Sequence, residues 1–155
     1  MAATPEPQLV EAGPQHAEAI RTLVRAAYAR WIPVIGREPR PMLADYDAAL
    51  RRHRFDLLIA DGRLLGLIET RLHDEHLWIE NLAVAPEVQG RGHGRRLLAH
   101  AESLAARHGR TELRLLTNAA FESNVRLYHS VGYVTARSEP FMGGTTLHLS
   151  KRLPD

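Results

Sequence analysis

Residues 84–100, VAPEVQGRGHGRRLLAH, follow an apolar run and are rich in glycine and arginine. Glycine occupies three alternate positions there: Gly90, Gly92 and Gly94. Glycine at that density destabilises both strands and helices, so the segment predicts a turn where a strand ends and a helix begins. Arg95 and Arg96 then lie in the first helical turn, where the helix dipole disfavours positive charge. A bound anion removes that penalty, because free helix amides and guanidinium groups both attract it. The segment therefore predicts a phosphate-binding turn.

Neither of the common nucleotide-binding glycine motifs fits this turn. A Walker A loop ends in Lys-Ser or Lys-Thr, whereas the one lysine of the chain is Lys151. A dinucleotide-binding fingerprint G-x-G-x-x-G that starts at Gly90 requires glycine at position 95, which is arginine. That fingerprint also opens a βαβ unit early in a fold, whereas this turn follows a meander of three predicted strands. The phosphate therefore belongs to another class of ligand.

The bulk properties predict one globular domain over residues 1–155. A net charge of +2, with basic residues scattered among acidic ones, argues against nucleic acid as a partner. The chain has no cysteine, which excludes disulfides, thiolate nucleophiles and cysteine-bound zinc. No apolar run approaches roughly 18 residues and the first residues do not resemble a secretory signal. We therefore expect no membrane partner and a cytoplasmic location.

Hydrophobic periodicity predicts the order of helices and strands along the chain. Helices are expected over residues 14–30, 42–52, 95–108 and 120–130, with a loop over 31–41. Strands are expected over residues 8–11, 55–60, 63–72, 76–84, 111–117, 133–136 and 145–151. Asp61-Gly62 predicts a hairpin turn between two of these strands. The order predicts an α/β (α+β) fold, with a mixed, mostly antiparallel sheet of about seven strands and helices on both faces.

Two motifs in this order resemble the GNAT family of N-acetyltransferases. QGRGHG, residues 89–94, matches that family's Q/R-x-x-G-x-G/A signature, and the preceding LAVAP is usual for it. NVRLYHSVGY, residues 124–133, is similar to the family's second motif, in which Asn, Tyr and Gly-Tyr follow one another. The predicted element order follows the same fold over nearly the whole chain. The resemblance also implies that the sheet splays apart between its two central parallel strands.

The resemblance implies acetyl-CoA as the co-substrate, with no metal. Its pyrophosphate is expected on the amides of the glycine-rich turn, and its pantetheine arm along the edge of the preceding strand. The residues implied to bind it are Leu82, Ala83, Val84, Gln89, Gly90, Arg91, Gly92, His93, Gly94, Arg95, Asn118 and Asn124. His73 and His76 do not argue for a metal instead, because they lie on a turn-to-strand segment and not at ligand spacing on a helix.

Two residues are candidates for the chemistry of acetyl transfer, which needs a base for the acceptor ammonium and an acid for the leaving thiolate. Glu80 interrupts the apolar strand LWIENLAV and, by strand alternation, is expected on the same face as Trp78 and Leu82. An adjacent indole desolvates a carboxylate, which suits it to act as the base, directly or through a water. The alternative role for Glu80 is an ion pair with an arginine such as Arg71. The resemblance implies that Tyr128 is the acid, and core packing is its alternative role.

The acceptor is expected to be a primary amine of a small molecule or a peptide. The resemblance implies that the first helix and the following loop wall the acceptor site, with Tyr28, Trp31 and Ile32 among the residues there. These aromatic and apolar residues occur together with Arg37 and Arg40. That combination suggests a small, partly apolar amine, with or without a carboxylate that an arginine would bind. Two other functions stay open, an acyl-CoA-binding module without catalysis and an interaction domain with a coincidental glycine-rich loop. A homodimer is also left open.

Overall fold

A computed structural model describes residues 6–154 of the chain. The strands are β1 Gln8–Glu11, β2 Arg54–Ala60, β3 Arg63–Leu72, β4 Leu77–Val84, β5 Glu112–Asn118, β6 Val134–Phe141 and β7 Gly144–Arg152. The helices are α1 Ala17–Tyr28, α2 Ile32–Ile35, α3 Tyr46–Arg52, α4 His93–Arg107 and α5 Glu122–Ser130. Short 3-10 turns cover Pro14–His16, Ala29–Trp31, Arg40–Leu43 and Pro86–Val88.

The strands form one sheet of seven in the order β1-β2-β3-β4-β5-β7-β6. Every neighbouring pair is antiparallel except β4 and β5, which run parallel. These two strands pair only where Leu77–Ile79 lies beside Leu113–Leu115. Beyond Ile79, β4 keeps β3 as its partner on one side only. The predicted mixed sheet, splayed between its central parallel strands, is confirmed.

Two hydrophobic cores cover the two faces of the sheet. The first core packs α1 and α3 against β2, β3 and β4, with Ile20, Val24 and Leu67 fully buried. The second core packs α4 and α5 against the other face, with Leu97 and Leu98 fully buried. Each helix contributes one apolar stripe at helical spacing, as an amphipathic helix on a sheet requires. Helices on both faces, as predicted, therefore sandwich the sheet.

Some predicted helix boundaries are wrong. Residues 31–41 are not only a loop, because Ile32–Ile35 forms the short helix α2, which ends at Gly36 in the left-handed region (φ 76°). The second helix, predicted over residues 42–52, begins four residues later in the structure, at Tyr46. Asp45 caps it by accepting a hydrogen bond from the Ala48 amide at 3.2 Å. α4 begins at His93, two residues before its predicted start at residue 95. α5 begins at Glu122, two residues after its own predicted start at residue 120.

The last hairpin is longer than predicted. β6 extends through Phe141, beyond the predicted end at residue 136, and turns into β7 through Met142 and Gly143, both at positive φ. Most side chains of β6 are exposed because it is the edge strand of the sheet. An exposed edge has no apolar alternation for sequence analysis to detect.

β4 carries a bulge at Glu80, the residue of this strand that has no pairing partner on β3. An extra residue shifts the alternation of side chains along a strand by one. Leu82 consequently packs with Ile79 in the second core. Glu80 instead contacts Trp78, whose side chain lies on the opposite face of the sheet. The expectation that Glu80 and Leu82 share a face is therefore wrong.

Candidate active site

A cavity of about 350 Å³ lies where β4 and β5 diverge, between the ends of α1, α4 and α5. Its lining includes most of the residues that the sequence predicted to bind the cofactor or the acceptor. These are Tyr28, Trp31, Leu82, Ala83, Val84, Gln89, Gly90, Gly92, His93, Gly94, Arg95 and Asn124. Ala27, Arg30, Ser123 and Leu127 also line it, and sequence analysis missed them. The cavity therefore brings together residues predicted to bind the cofactor and two residues, Tyr28 and Trp31, predicted to bind the acceptor.

The glycine-rich turn leaves helix amides free at this cavity. Gly92 is the N-cap of α4, with φ 87° and no side chain to cap the helix. The first hydrogen bond of α4 runs from the Arg96 amide to the Gly92 carbonyl at 3.0 Å. The amides of His93, Gly94 and Arg95 precede that bond, so the helix itself provides no acceptor for them. All three residues line the cavity, which makes this helix end a site for an anion.

The charged groups around the turn do not all point into the cavity. Arg95 lines it and donates to Ser130 Oγ at 2.9 Å. Arg96 instead donates to the Pro7 carbonyl at 2.8 Å. Burial, with Arg91 and Arg96 nearby, lowers the pKa of His93. His93 is consequently uncharged at neutral pH, and a bound anion favours its protonated form.

The Arg30 side chain contacts three parts of the cavity. Its guanidinium donates to Gln89 Oε1 at 3.1 Å and to Ser123 Oγ at 2.9 Å. The same group lies 4.5 Å from the ring centre of Trp31, which stacks on Phe121 at 4.9 Å. The end of α1 is thereby linked to the glycine-rich turn and to the start of α5. No sequence motif marks Arg30, because its partners are distant in the chain.

The end of β4 provides an unpaired strand edge. Leu82, Ala83 and Val84 pair with β3, and β5 pairs with β4 only up to Ile79. Gln89 donates from Nε2 to the Val84 carbonyl at 3.1 Å, which fixes the glycine-rich turn to the end of the strand. The Tyr28 hydroxyl likewise lies 3.2 Å from the Leu82 carbonyl. The β5 side of this segment has no strand partner, and its backbone amides are consequently available to an extended ligand.

Glu80 lies just beyond the last pair between β4 and β5. Its Oε2 accepts a hydrogen bond from Trp78 Nε1 at 2.6 Å and lies 3.5 Å from Arg71 Nη1. The side chain is 38% exposed, so the indole covers it only in part. The expected indole contact and the alternative ion pair with Arg71 are both present. Neither contact prevents the carboxylate from accepting a proton from a ligand.

A buried polar network lies behind this carboxylate. Tyr28 donates to Asn81 Oδ1 at 2.7 Å, and Asn81 Nδ2 donates to the Tyr46 hydroxyl at 3.3 Å. Burial raises the pKa of Tyr28, so its hydroxyl stays protonated. Nearby, His53 Nδ1 lies 2.6 Å from Glu69 Oε2, and burial raises the pKa of Glu69. Sequence analysis missed this network, because it depends on the packing of α1 and α3 on the sheet.

Tyr128 lies in the second core beneath the cavity. Its ring packs edge-to-face on Tyr133 at 5.9 Å, and burial raises the pKa of its hydroxyl. Within residues 6–154 that hydroxyl has no hydrogen-bond partner. Asn124, one turn earlier on α5, lines the cavity. The phenol is thus protonated and its hydrogen is uncommitted.

Five predicted site residues lie outside the cavity lining: Glu80 and Tyr128, described above, and three residues predicted to bind the cofactor or the acceptor. Asn118 Oδ1 accepts from the Ala120 amide at 2.9 Å and forms the turn after β5. Ile32 packs against the first core. Arg91 is exposed on the glycine-rich turn, close enough to influence His93.

The part of the chain that the structure describes contains no group of three or more His, Asp or Glu side chains arranged to hold a metal ion. The rings of His73 and His76 stack on each other at 4.7 Å. Among residues 6–154, no helix has the length and apolar character needed to cross a membrane.

Residues 17–133 match the model of the acetyltransferase (GNAT) family. This match covers most of the chain, and the chain therefore belongs to the GNAT acetyltransferase family. The family assignment confirms the resemblance that the glycine-rich turn and residues 124–133 indicated. No curated protein sequence matches the chain significantly.

Solved structures of acetyltransferases share the fold. PaiA N-acetyltransferase from Thermoplasma acidophilum, in complex with coenzyme A, superimposes with a TM-score of 0.83 at 18% identity, over 94% of this chain and 98% of that one. The ribosomal-protein-S18-alanine N-acetyltransferase from Escherichia coli gives 0.79 at 18% identity, over 96% and 95%. The protein yncA from Salmonella typhimurium, with its cofactor acetyl-CoA, gives 0.73 at 20% identity, over 96% and 95%.

Proposed function

We propose that this protein transfers the acetyl group of acetyl-CoA to a primary amine of a small molecule or a peptide. One observation carries the proposal: an uncapped helix N-terminus and an unpaired strand edge line the same cavity. The first suits a pyrophosphate and the second suits an amide-containing chain. Family membership and the coenzyme complexes of structural relatives support the same ligand.

The residues of the cavity fit acetyl-CoA. The amides of His93, Gly94 and Arg95 would hold the pyrophosphate, with the Arg95 guanidinium beside them. The unpaired edge of residues 82–84 would bind the pantetheine arm, whose amides match a strand in hydrogen-bonding pattern. When bound, the coenzyme supplies an acetyl thioester. Asn124 and Leu127 would form the α5 side of the channel.

Glu80 is the proposed base for direct attack. The acceptor ammonium must lose a proton before its nitrogen can form the new bond to the acetyl carbon. Glu80 takes that proton, directly or through a water, and Trp78 holds the carboxylate in place through a hydrogen bond of 2.6 Å. The exposed part of the carboxylate gives an amine access to it.

Tyr128 is the proposed acid. As the carbon–nitrogen bond forms and the carbon–sulfur bond breaks, the sulfur leaves with the bonding electron pair and needs a proton. Burial keeps the phenol of Tyr128 protonated, and no protein group accepts that proton within residues 6–154. The hydroxyl can therefore hydrogen-bond to the departing sulfur and pass its proton to it, and the phenolate regains a proton from the solvent. The products are the acetylated amine and free coenzyme A.

One experiment in two parts tests the function. Calorimetry with coenzyme A measures binding, and thiol release from acetyl-CoA with a panel of amines measures turnover. We expect both binding and amine-dependent thiol release. Binding without release from any amine would indicate a coenzyme-binding module, and absence of binding would indicate an interaction domain.

A further inference from the structure

A second cavity, of about 640 Å³, opens on the sheet beside Glu80. Its floor is formed by neighbouring residues on three strands, Trp78, Arg114 and Ser150. These side chains alternate with Ile79, Leu115 and others that pack in the second core, so the cavity lies on the opposite face of the sheet. Its volume is within the usual range for small-molecule sites, about 300–1,000 Å³.

Positive charge dominates the lining of this second cavity. Three arginines line it, Arg71, Arg114 and Arg137, against one carboxylate, Glu112. Glu112 is fully engaged with Arg114 through two hydrogen bonds of 3.0 and 3.1 Å. Among residues 6–154, the carboxylate nearest to Arg137 is that of Glu139, at 3.9 Å, which also binds His148. Arg71 has a carboxylate neighbour, Glu80, at 3.5 Å. Arg71 and Arg137 are therefore the cations able to bind an anionic group here.

Flat rings form the end of the cavity at the turn between β3 and β4. The rings of His73 and His76 stack at 4.7 Å, and His76 lies edge-on to Trp78 at 6.3 Å. Burial and the nearby Arg114 lower the pKa of His76, so this ring is uncharged at neutral pH. The uncharged ring of His76 and the indole of Trp78 provide a surface for an apolar or aromatic side chain of a ligand.

Two lining residues connect the second cavity to the proposed base. Arg71 and Trp78 both line it, and both contact the same oxygen of Glu80. A ligand that carries an amine and a carboxylate two or three bonds apart matches this pair of charges. Its ammonium would bind Glu80 while its carboxylate bound Arg71, because the two groups are neighbours in the ligand as they are in the site.

We infer that the acceptor is a small amine whose carboxylate lies two or three bonds from the amine nitrogen, as in an α-amino acid, and that Arg71 binds this carboxylate. The inference rests on the proposed function and gives its substrate class. It also places the acceptor in the second cavity and not against Tyr28 and Trp31, which line the cofactor cavity.

The test uses the whole chain and matched acceptors. L-Amino acids, their carboxamides and the corresponding decarboxylated amines are compared by kcat/KM for thiol release, phenylalanine, phenylalaninamide and phenethylamine being one such set. We expect the acid to be preferred by about tenfold or more, the effect of one charge-assisted hydrogen bond. A carboxamide has the more easily deprotonated amine, so this preference opposes intrinsic reactivity.

Substitution of Arg71 separates carboxylate binding from other effects. Arg71→Gln should raise KM for the acid about tenfold more than KM for the carboxamide. Loss of the Arg71 contact with Glu80 should lower kcat for both substrates alike, so the acid-to-carboxamide ratio of KM is the readout. Arg71→Lys, which keeps the charge, should restore part of the preference. Arg107→Gln removes an exposed arginine of α4 on the other face of the sheet and should change neither substrate.

The other possible results would contradict either the inference about the acceptor or the proposed function. Equal or better turnover of amines that lack the carboxylate, an acid preference that survives in Arg71→Gln, or no turnover of any acid would overturn the inference. No coenzyme binding would overturn the proposed function itself. A dimer that dissociates on Arg137→Glu, without acid preference in the parent, would assign this face to a second copy of the chain.

Discussion

At the scale of single residues, Glu80 has a position that strand alternation does not predict. The bulge separates it from the second core, and Trp78 and Arg71 then hold its carboxylate at the point where β4 and β5 diverge. The two contacts fix the position of the carboxylate, while the exposed fraction of the side chain leaves a path for an amine. A carboxylate so placed is suited both to bind an ammonium and to take its proton.

Glu80→Gln keeps the shape and the indole hydrogen bond but removes the proton acceptor. We expect kcat/KM near neutral pH to fall by about 10²- to 10⁴-fold, because general-base catalysis contributes about that much. Activity should recover partly at high pH, where more of the acceptor amine is already neutral, and coenzyme binding should be unchanged. The measurement is the complete pH–rate profile of the variant.

The control for Glu80 is Glu75→Gln, which changes an exposed carboxylate in the turn between β3 and β4. It should leave the pH–rate profile of the parent unchanged. If Glu80→Gln lowers the melting temperature but keeps the acid limb of the profile, the ion pair with Arg71 is structural. An ordered water held by backbone carbonyls then becomes the better candidate for the base.

Tyr128→Phe tests the acid, because it keeps the ring that packs on Tyr133 and removes only the hydroxyl. We expect kcat to fall by about 10²-fold, the lower end for general-acid catalysis, with coenzyme affinity nearly unchanged. Tyr133→Phe is the matched control, since that tyrosine is also buried in the second core and its hydroxyl has no protein partner in the described chain. Equal kcat values for the parent and Tyr128→Phe, with chemistry rate-limiting, would assign Tyr128 to packing alone.

At the scale of elements, the turn between β4 and α4 needs glycine at two positions for two different reasons. Gly92 takes a left-handed conformation, and a side chain at Gly94 would meet Leu127 Cδ2 at 2.9 Å. The first glycine shapes the end of the helix, and the second lets α5 approach it closely. The anion site is therefore a consequence of how α4 begins and of what packs on its first turn.

Gly92→Ala tests the turn, and Gly109→Ala provides a matched control at the other end of α4. Both glycines have positive φ, 87° and 71°, and open space where a Cβ would lie. Each substitution should cost about 1–2 kcal/mol of stability, the cost of a left-handed conformation for alanine. Only Gly92→Ala should weaken coenzyme binding, by about tenfold, as measured by calorimetry. Equal affinities in the two folded variants would contradict the phosphate site.

Sequence analysis identified those elements whose signal is local. The glycine-rich turn, the Asp61-Gly62 hairpin and the apolar stripes of α1 and α4 each carry their own pattern. The short helix α2 and the outer half of β6 were missed, because neither has a periodic apolar face. The bulge at Glu80 was missed for another reason: it depends on pairing with β3, which the sequence of one strand does not contain.

The residues of the candidate site, like the elements of the fold, could be predicted from the sequence only where their signal is local. The motif residues of the turn and Asn124 were identified, since a contiguous pattern marks them. Arg30 and Asn81 were missed, because each acts through partners on other elements. Arg71 was predicted only as an ion-pair partner of Glu80 and not as part of a ligand site. Side chains that connect elements leave no spacing pattern in the sequence, and the packed structure is needed to find them.

At the scale of the whole molecule, the sheet is weakest where the site lies. β4 and β5 share only three residue pairs, and the two hydrophobic cores lie on opposite faces of the sheet on either side of this opening. The cofactor cavity takes its lining from both cores, with Tyr28 and Trp31 from the first and Leu82 and Leu127 from the second. A ligand that fills the cavity therefore links parts of the molecule that few backbone hydrogen bonds connect.

This arrangement predicts that coenzyme A stabilises the whole chain. At about 100 times Kd, a ligand that binds only the folded state adds roughly 2.7 kcal/mol to its stability. For a chain of this length each kcal/mol raises Tm by about 2–4 °C, so we expect a rise of about 5–10 °C.

Amide hydrogen exchange should slow most at residues 81–84 and at the start of α4, and little in β1 or β6. In Gly92→Ala the same coenzyme concentration should give a smaller rise in Tm, because a smaller fraction of the site is occupied. Uniform slowing of exchange over the sheet, or an equal rise in that variant, would mean that the coenzyme does not bridge the opening between β4 and β5.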